Sequence, residues 1–148
     1  MDLMKVTPEE LAEMRRQRTA ARLAELQSAV VTARDDVATA EAERTATATA
    51  VEKAEQALTK QLDVTRKQLD KAGLGVDPAV AELNPRAAEV QFDARIRSAA
   101  PVKERQAEID AAKVALRNCV AALNSARAAV PDSEHRLQTF VNQLLDVG

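Results

Sequence analysis

The sequence contains no tryptophan and no tyrosine, and its only phenylalanines are Phe92 and Phe140. Aromatic side chains supply much of the buried area in an ordinary globular core, so a core of that kind is excluded. With only three glycines and five prolines, turns have few places to form. The single cysteine, Cys119, has no intramolecular partner for a disulfide, which points to a reducing compartment. The single histidine, His135, rules out a His-based metal cluster. No apolar run approaches the ~18 residues of a membrane span. The opening "MDLMKVTPEE" holds no apolar stretch suited to a signal peptide. The expectation is a soluble, cytoplasmic protein with no membrane insertion. Charge of one sign is missing as well: 21 basic and 23 acidic residues give a net charge of −2, without the basic excess usual in a nucleic-acid binder.

What the 148 residues do contain is alanine and charge, with 30% Asp, Glu, Lys and Arg. That length has room for one domain, and the composition suits an elongated helical one. In "TPEE", Thr7 is placed as an N-cap, Pro8 as the first helical residue and Glu10 as the third, a capping box. After Pro8 and through Ala72 there is neither proline nor glycine, enough chain for a helix of roughly 100 Å at ~1.5 Å per residue. Helices of that length imply a coiled coil or a repeat. "KAGLGVDP" then sets Gly73 just past the helix end and Gly75 two residues on, a stop signal. Asp77 and Pro78 read as the cap and first position of a short helical turn through Leu83. Asn84 and Pro85 repeat the pattern and open a second long helix running to about Asp146. The expected fold is all-α: a long antiparallel two-helix coiled-coil hairpin with a short helical tip. Helix one spans about 8–72, the tip 73–84 and helix two about 85–146.

Seven-residue spacing supports the hairpin. In helix two Val102, Ile109, Leu116, Leu123, Val130, Leu137 and Leu144 recur without a break. Ala112, Cys119, Ala126, Ser133, Phe140 and Val147 follow in a second row, completing the stripe of a left-handed coiled coil. In helix one Leu23, Val30, Val37, Val51 and Leu58 hold one register, with Arg44 intruding. The apolar positions then slip by four to Leu62 and Leu69. The middle, "ATAEAERTATATAVEKA", offers the seam only Ala and Thr and buries little apolar area. Alternation in "TATATA" has the period of a strand, but no second strand is available to pair with it. The hairpin should be most pliable there.

Pro131 stands inside this unbroken register, and Pro101 near the tip. An interior proline deletes one backbone hydrogen bond and clashes with the preceding turn, at about 3 kcal/mol. Asp132, Ser133 and Glu134 after Pro131 suit the first turn of a helix, so a kink or a brief restart is expected. Either the long helix simply tolerates the kink, or Pro131 is a hinge that aims the last turns as a separate handle.

Catalytic chemistry is not expected. There is no GxxxxGK[ST] and no GxGxxG, and "GLG" at 73–75 is a turn. A two-helix hairpin offers no concave pocket of convergent groups. Cys119 is explained as a small seam residue, and His135 beside Glu134 and Arg136 as a solvated residue of the outer face. No catalytic, metal-binding or cofactor-binding residue is assigned, and no cofactor is expected. "MRRQRTAAR" packs Arg15, Arg16, Arg18 and Arg22 into two turns. It reads either as a solvated face balanced by Glu9, Glu10 and Glu13, or as a surface for an acidic protein partner. RNA is a third option, without the interleaved aromatics that stacking needs.

The stretch "EELAEMRRQRTAARLAELQSAVVTARDDVATAE" opens with apolar and Arg positions and runs into an Ala-rich helix. A mid-chain tip and a matching return helix follow. In length, layout and Arg/Ala-rich start, nearly the whole chain resembles the YscO/FliJ group of bacterial type III secretion and flagellar export proteins. The resemblance implies a cytoplasmic helical-hairpin stalk associated with the export ATPase ring, its tip facing the export gate, with secretion chaperones as further partners. The seated end would then comprise Leu11 to Arg22 with Val130 to Leu145. Arg15, Arg16, Arg18, Arg22, Leu137, Phe140 and Leu144 are the candidate partner contacts and Pro131 the candidate hinge. Two other readings stay open: a coiled-coil chaperone gripping clients at its pliable centre and tip, and a structural assembly part of a phage particle or cytoskeletal array. Leu26, Val31 and Leu62 lie outside the main apolar row of helix one, where a second hairpin could dock. The Ala-rich middle gives such an interface little area, and a monomer or weak dimer is expected.

Overall fold

Thr7 starts the first helix as its sequence context requires. Its Oγ1 accepts the backbone N–H of Glu10 at 3.2 Å, and its carbonyl accepts that of Leu11 at 3.0 Å. The computed structural model describes residues 5–147, the side chain of Val147 excepted, so the place expected for Val147 in the seam lies outside the described residues. Four helices follow one another: α1 (Pro8–Lys71), α2 (Pro78–Leu83), α3 (Pro85–Ser98) and α4 (Ala100–Val147). The described residues contain no strand, and "TATATA" is helical throughout. The protein is all-α.

Where helix two was expected to run from 85 to 146 there are two helices, α3 and α4, parted at Ala99. Ala99 is extended (φ −63°, ψ 135°). Its N–H reaches the Ile96 carbonyl at 3.2 Å, while its carbonyl accepts Val102 and Lys103 N–H and so starts α4. Pro101 fits this break, since it has no N–H to donate and stands in the first turn of α4, where none is needed. Pro131 behaves differently. It lies inside α4, which continues across it. Pro131 cannot donate to the carbonyl four residues back, that of Arg127, but its exposed position leaves the buried stripe intact. There is no restart at Pro131.

The chain divides into two compact units. One is formed up to Ala42 and from Ala121 onward, the other by Glu43–Val120. In the first, α1 contributes buried Leu26, Val30, Ala33 and Ala40, and α4 contributes Leu123, which is 1% exposed. Val130, Leu137 and Phe140 are half-buried beside them. Two ion pairs cross between the helices, Arg34 to Glu134 at 3.0 Å and Arg127 to Glu41 at 3.3 Å. Residue numbers thus rise along α1 as they fall along α4. Leu26, expected as a spare apolar residue outside the row, is core. It stands three residues after Leu23, on the second row of the same stripe, whereas Val31 faces solvent.

In the second unit Phe92, Ile96 and Val102 form a buried cluster packed by Leu58, Leu62, Leu69 and Ala99. The expected slip to Leu62 and Leu69 is therefore where α1 meets α3. Thr65 of the unslipped row is buried too, its hydroxyl accepting a hydrogen bond from Gln61 at 3.0 Å. The Arg66 guanidinium lies 5.4 Å from the Phe92 ring centre, a cation–π distance. In the Ala/Thr stretch the Thr47 and Thr49 hydroxyls donate to the carbonyls of Glu43 and Thr45, and Thr47 Oγ1 lies 3.3 Å from Cys119 Sγ. Arg44 is exposed.

At the tip, Gly73 takes φ +76°. Its N–H bonds to the Asp70 carbonyl and that of Leu74 to the Leu69 carbonyl, the paired closure that ends a helix in a left-handed residue. Asp77 caps α2 through Ala79 N–H at 3.0 Å, and Asn84 caps α3 through Ala87 N–H at 3.2 Å. Arg95 holds the turn from α3 by donating to the carbonyls of Leu74 and Gly75, both at 2.9 Å.

Candidate partner-binding surface

The arginine cluster lies on residues 15–22 of α1, ahead of its first buried residue, Leu26. Arg15, Arg16, Arg18 and Arg22 are all exposed. Arg15, Arg18 and Arg22 are spaced by three and four, so they share one face with Leu11, itself exposed. Of the three carboxylates expected to balance them, only Glu13 is paired with the cluster, to Arg16 at 3.4 Å. Arg22 takes Glu25 instead, at 3.1 Å. Arg15 and Arg18 have no ion-pair partner among the described residues. Exposed pairs of this kind contribute about 0–1 kcal/mol and exchange readily.

On α4 the three apolar candidates separate. Leu137 and Phe140 are half-buried, while Leu144 is 38% exposed and Leu145 follows it at 74%. Leu137 therefore serves the seam first, and Phe140 serves both seam and surface. Of the seven candidate contacts, Arg22 and Phe140 line one groove, of about 410 Å³, completed by Leu26, His135, Arg136, Thr139 and Gln143. Leu26 and Phe140 make its apolar part and Arg22 and Arg136 its cations. No carboxylate lines it. His135, expected as a solvated residue of the outer face, is exposed and forms one of its walls.

Arg136 and His135 were not among the contacts expected from sequence, although a signal was present. Arg136, Thr139, Phe140 and Gln143 follow the i, i+3, i+4, i+7 spacing of one helix face. What the spacing could not show was that this face meets Arg22. A second groove of about 330 Å³ lies at Pro131 itself, between Val130, Arg127, Arg34 and Val37. The Arg34–Glu134 and Arg127–Glu41 pairs sit on either side of Pro131 along α4. Pro131 is thus braced against α1 at both ends.

No family model, curated protein or solved structure matches this chain. Among the described residues no group of three or more His, Cys, Asp or Glu is placed to hold a metal ion. No described helix is long and apolar enough to cross a membrane. The arrangement at the groove, arginines over a small apolar floor, has the chemistry of protein recognition, in which Arg forks engage carboxylates while an apolar anchor excludes water.

Proposed function

We propose that the chain is an antiparallel coiled-coil stalk of a bacterial type III protein-export apparatus, cytoplasmic and non-catalytic, which engages the export ATPase through the first unit. The observation that carries this reading is the uncovered state of that unit's surface. The groove of Arg22, Leu26, Arg136 and Phe140 is open, and Leu11, Leu144 and Leu145 remain exposed nearby in sequence. The likeness in layout to YscO/FliJ proteins supports it further, as do the rows of buried and half-buried residues at alternating spacings of three and four along α4. The test is co-purification with a candidate export ATPase at micromolar concentration, with helicity checked by circular dichroism. A chain that keeps its helicity and forms no complex would sink the stalk reading.

A chaperone is the second reading, and one observation favours it. In the second unit Leu74, Val76, Leu83 and Val90 are exposed, Leu83 at 90%. A client-gripping role predicts that the chain suppresses aggregation of an unfolded test protein and that Leu83→Ser with Val90→Ser removes the effect. The stalk reading predicts no such suppression.

A further inference from the structure

Resting on the reading that the first unit seats a partner, we propose that the groove between Arg22 of α1 and Arg136 of α4 binds an acidic amphipathic segment of that partner. One apolar side chain of the segment sits on Leu26 and Phe140, and the carboxylates flanking it are held by the two arginines. Charge complementarity is the first argument. The groove is lined by Arg22, Arg136 and His135 and by no acidic residue, so an anion meets no repulsion inside it. The Arg22–Glu25 pair is exposed on both sides, so an incoming carboxylate can replace Glu25 at little cost. The second argument is the floor. Leu26 is buried and Phe140 half-buried, which gives an apolar side chain a fixed surface to cover. Thr139 and Gln143 on the same wall supply neutral hydrogen-bonding groups for the segment's backbone.

The row of cations also selects the kind of ligand. Arg18 and Arg15 stand four and seven residues before Arg22 on the same helix face. They continue the positive charge along α1 and away from the groove. A line of separated arginines matches carboxylates spread along a peptide better than one small anion. Single-stranded nucleic acid would need aromatic faces for its bases, and Phe140 is the only aromatic of this unit.

The experiment is fluorescence anisotropy with the full chain and two labelled synthetic helical peptides. One carries leucines at i and i+4 flanked by glutamates; the other is identical but with lysine for every glutamate. The glutamate peptide should bind saturably and the lysine peptide should not. Arg22→Gln and Arg136→Gln should each weaken binding about tenfold, the loss of one charge-assisted hydrogen bond. Lys60→Gln, on the second unit, should leave binding unchanged. Phe140→Ala should weaken it too; because that change can loosen the helix ends, the exposed arginine variants are the deciding ones. Equal binding of both peptides would overturn the proposal. So would indifference to the arginine variants, or equal competition by anionic phospholipid vesicles or oligothymidylate. Self-association in sedimentation that Arg22→Gln abolishes would give the groove to a second copy of the chain, also against the proposal. Peptide binding without ATPase co-purification leaves the groove assigned and retires the stalk; co-purification without peptide binding does the reverse.

Discussion

Leu123 and Val31 contrast a buried and an exposed apolar side chain of the first unit. Leu123 is 1% exposed, whereas Val31 projects into solvent. Leu123→Ala should lower unfolding free energy by about 3 kcal/mol, the transfer loss plus a cavity. Val31→Ala should stay within about 0.5 kcal/mol. Urea melts of both variants check the contrast. Pro131 stands between these cases, because its cost is backbone and its position is exposed. Pro131→Ala restores a donor to the Arg127 carbonyl and removes the ring clash, so it should stabilise α4 by about 2 kcal/mol. If Pro131 is a hinge that aims a partner-binding segment, the same variant should bind the export ATPase more weakly although every contacting side chain is kept. If it is only a tolerated kink, stability rises and affinity holds. Melting temperature and affinity measured on one sample separate the two.

Among the elements, the ends were the most legible. Thr7, Gly73, Asp77 and Asn84 each act as their residue type requires, because a cap depends on neighbours three or four positions away. Gly73→Ala should cost about 1 kcal/mol from the left-handed backbone alone, since nothing lies within 4 Å of the added methyl. Asn84→Ala should cost about 1 kcal/mol by uncapping α3. Thermal melts followed by circular dichroism read both. The rows of α4 were legible too, from Val102 to Phe140, as a pattern of spacing. What spacing could not decide was anything set by packing across elements. Two prolines in similar contexts behave oppositely: Pro101 accompanies a break at Ala99, which packs on the Phe92 cluster, while Pro131 is carried through. The expected slip to Leu62 and Leu69 falls where α1 packs on the Phe92 cluster of α3, which spacing alone could not show. The meeting of Arg22 with Phe140 and Arg136 depends on how two helices are aligned over a large sequence separation. No local pattern in either helix encodes that.

For the molecule as a whole, the burial of Leu26 and the half-burial of Leu62 leave less apolar surface for self-association. Of the three apolar residues expected to be free for a second hairpin, only Val31 remains fully at the surface. We propose a monomer or weak dimer on that ground, and sedimentation at several concentrations should show it; a tight dimer at nanomolar concentration would contradict it. Engagement of the proposed partner is the central claim, and hydrogen exchange read peptide by peptide, with and without a candidate export ATPase, tests it most directly. Protection should appear in α1 from Leu11 to Leu26 and in α4 from Asp132 to Asp146, with residues 62–97 unchanged. Protection confined to residues 62–97, or none anywhere while the chain stays helical, would contradict it.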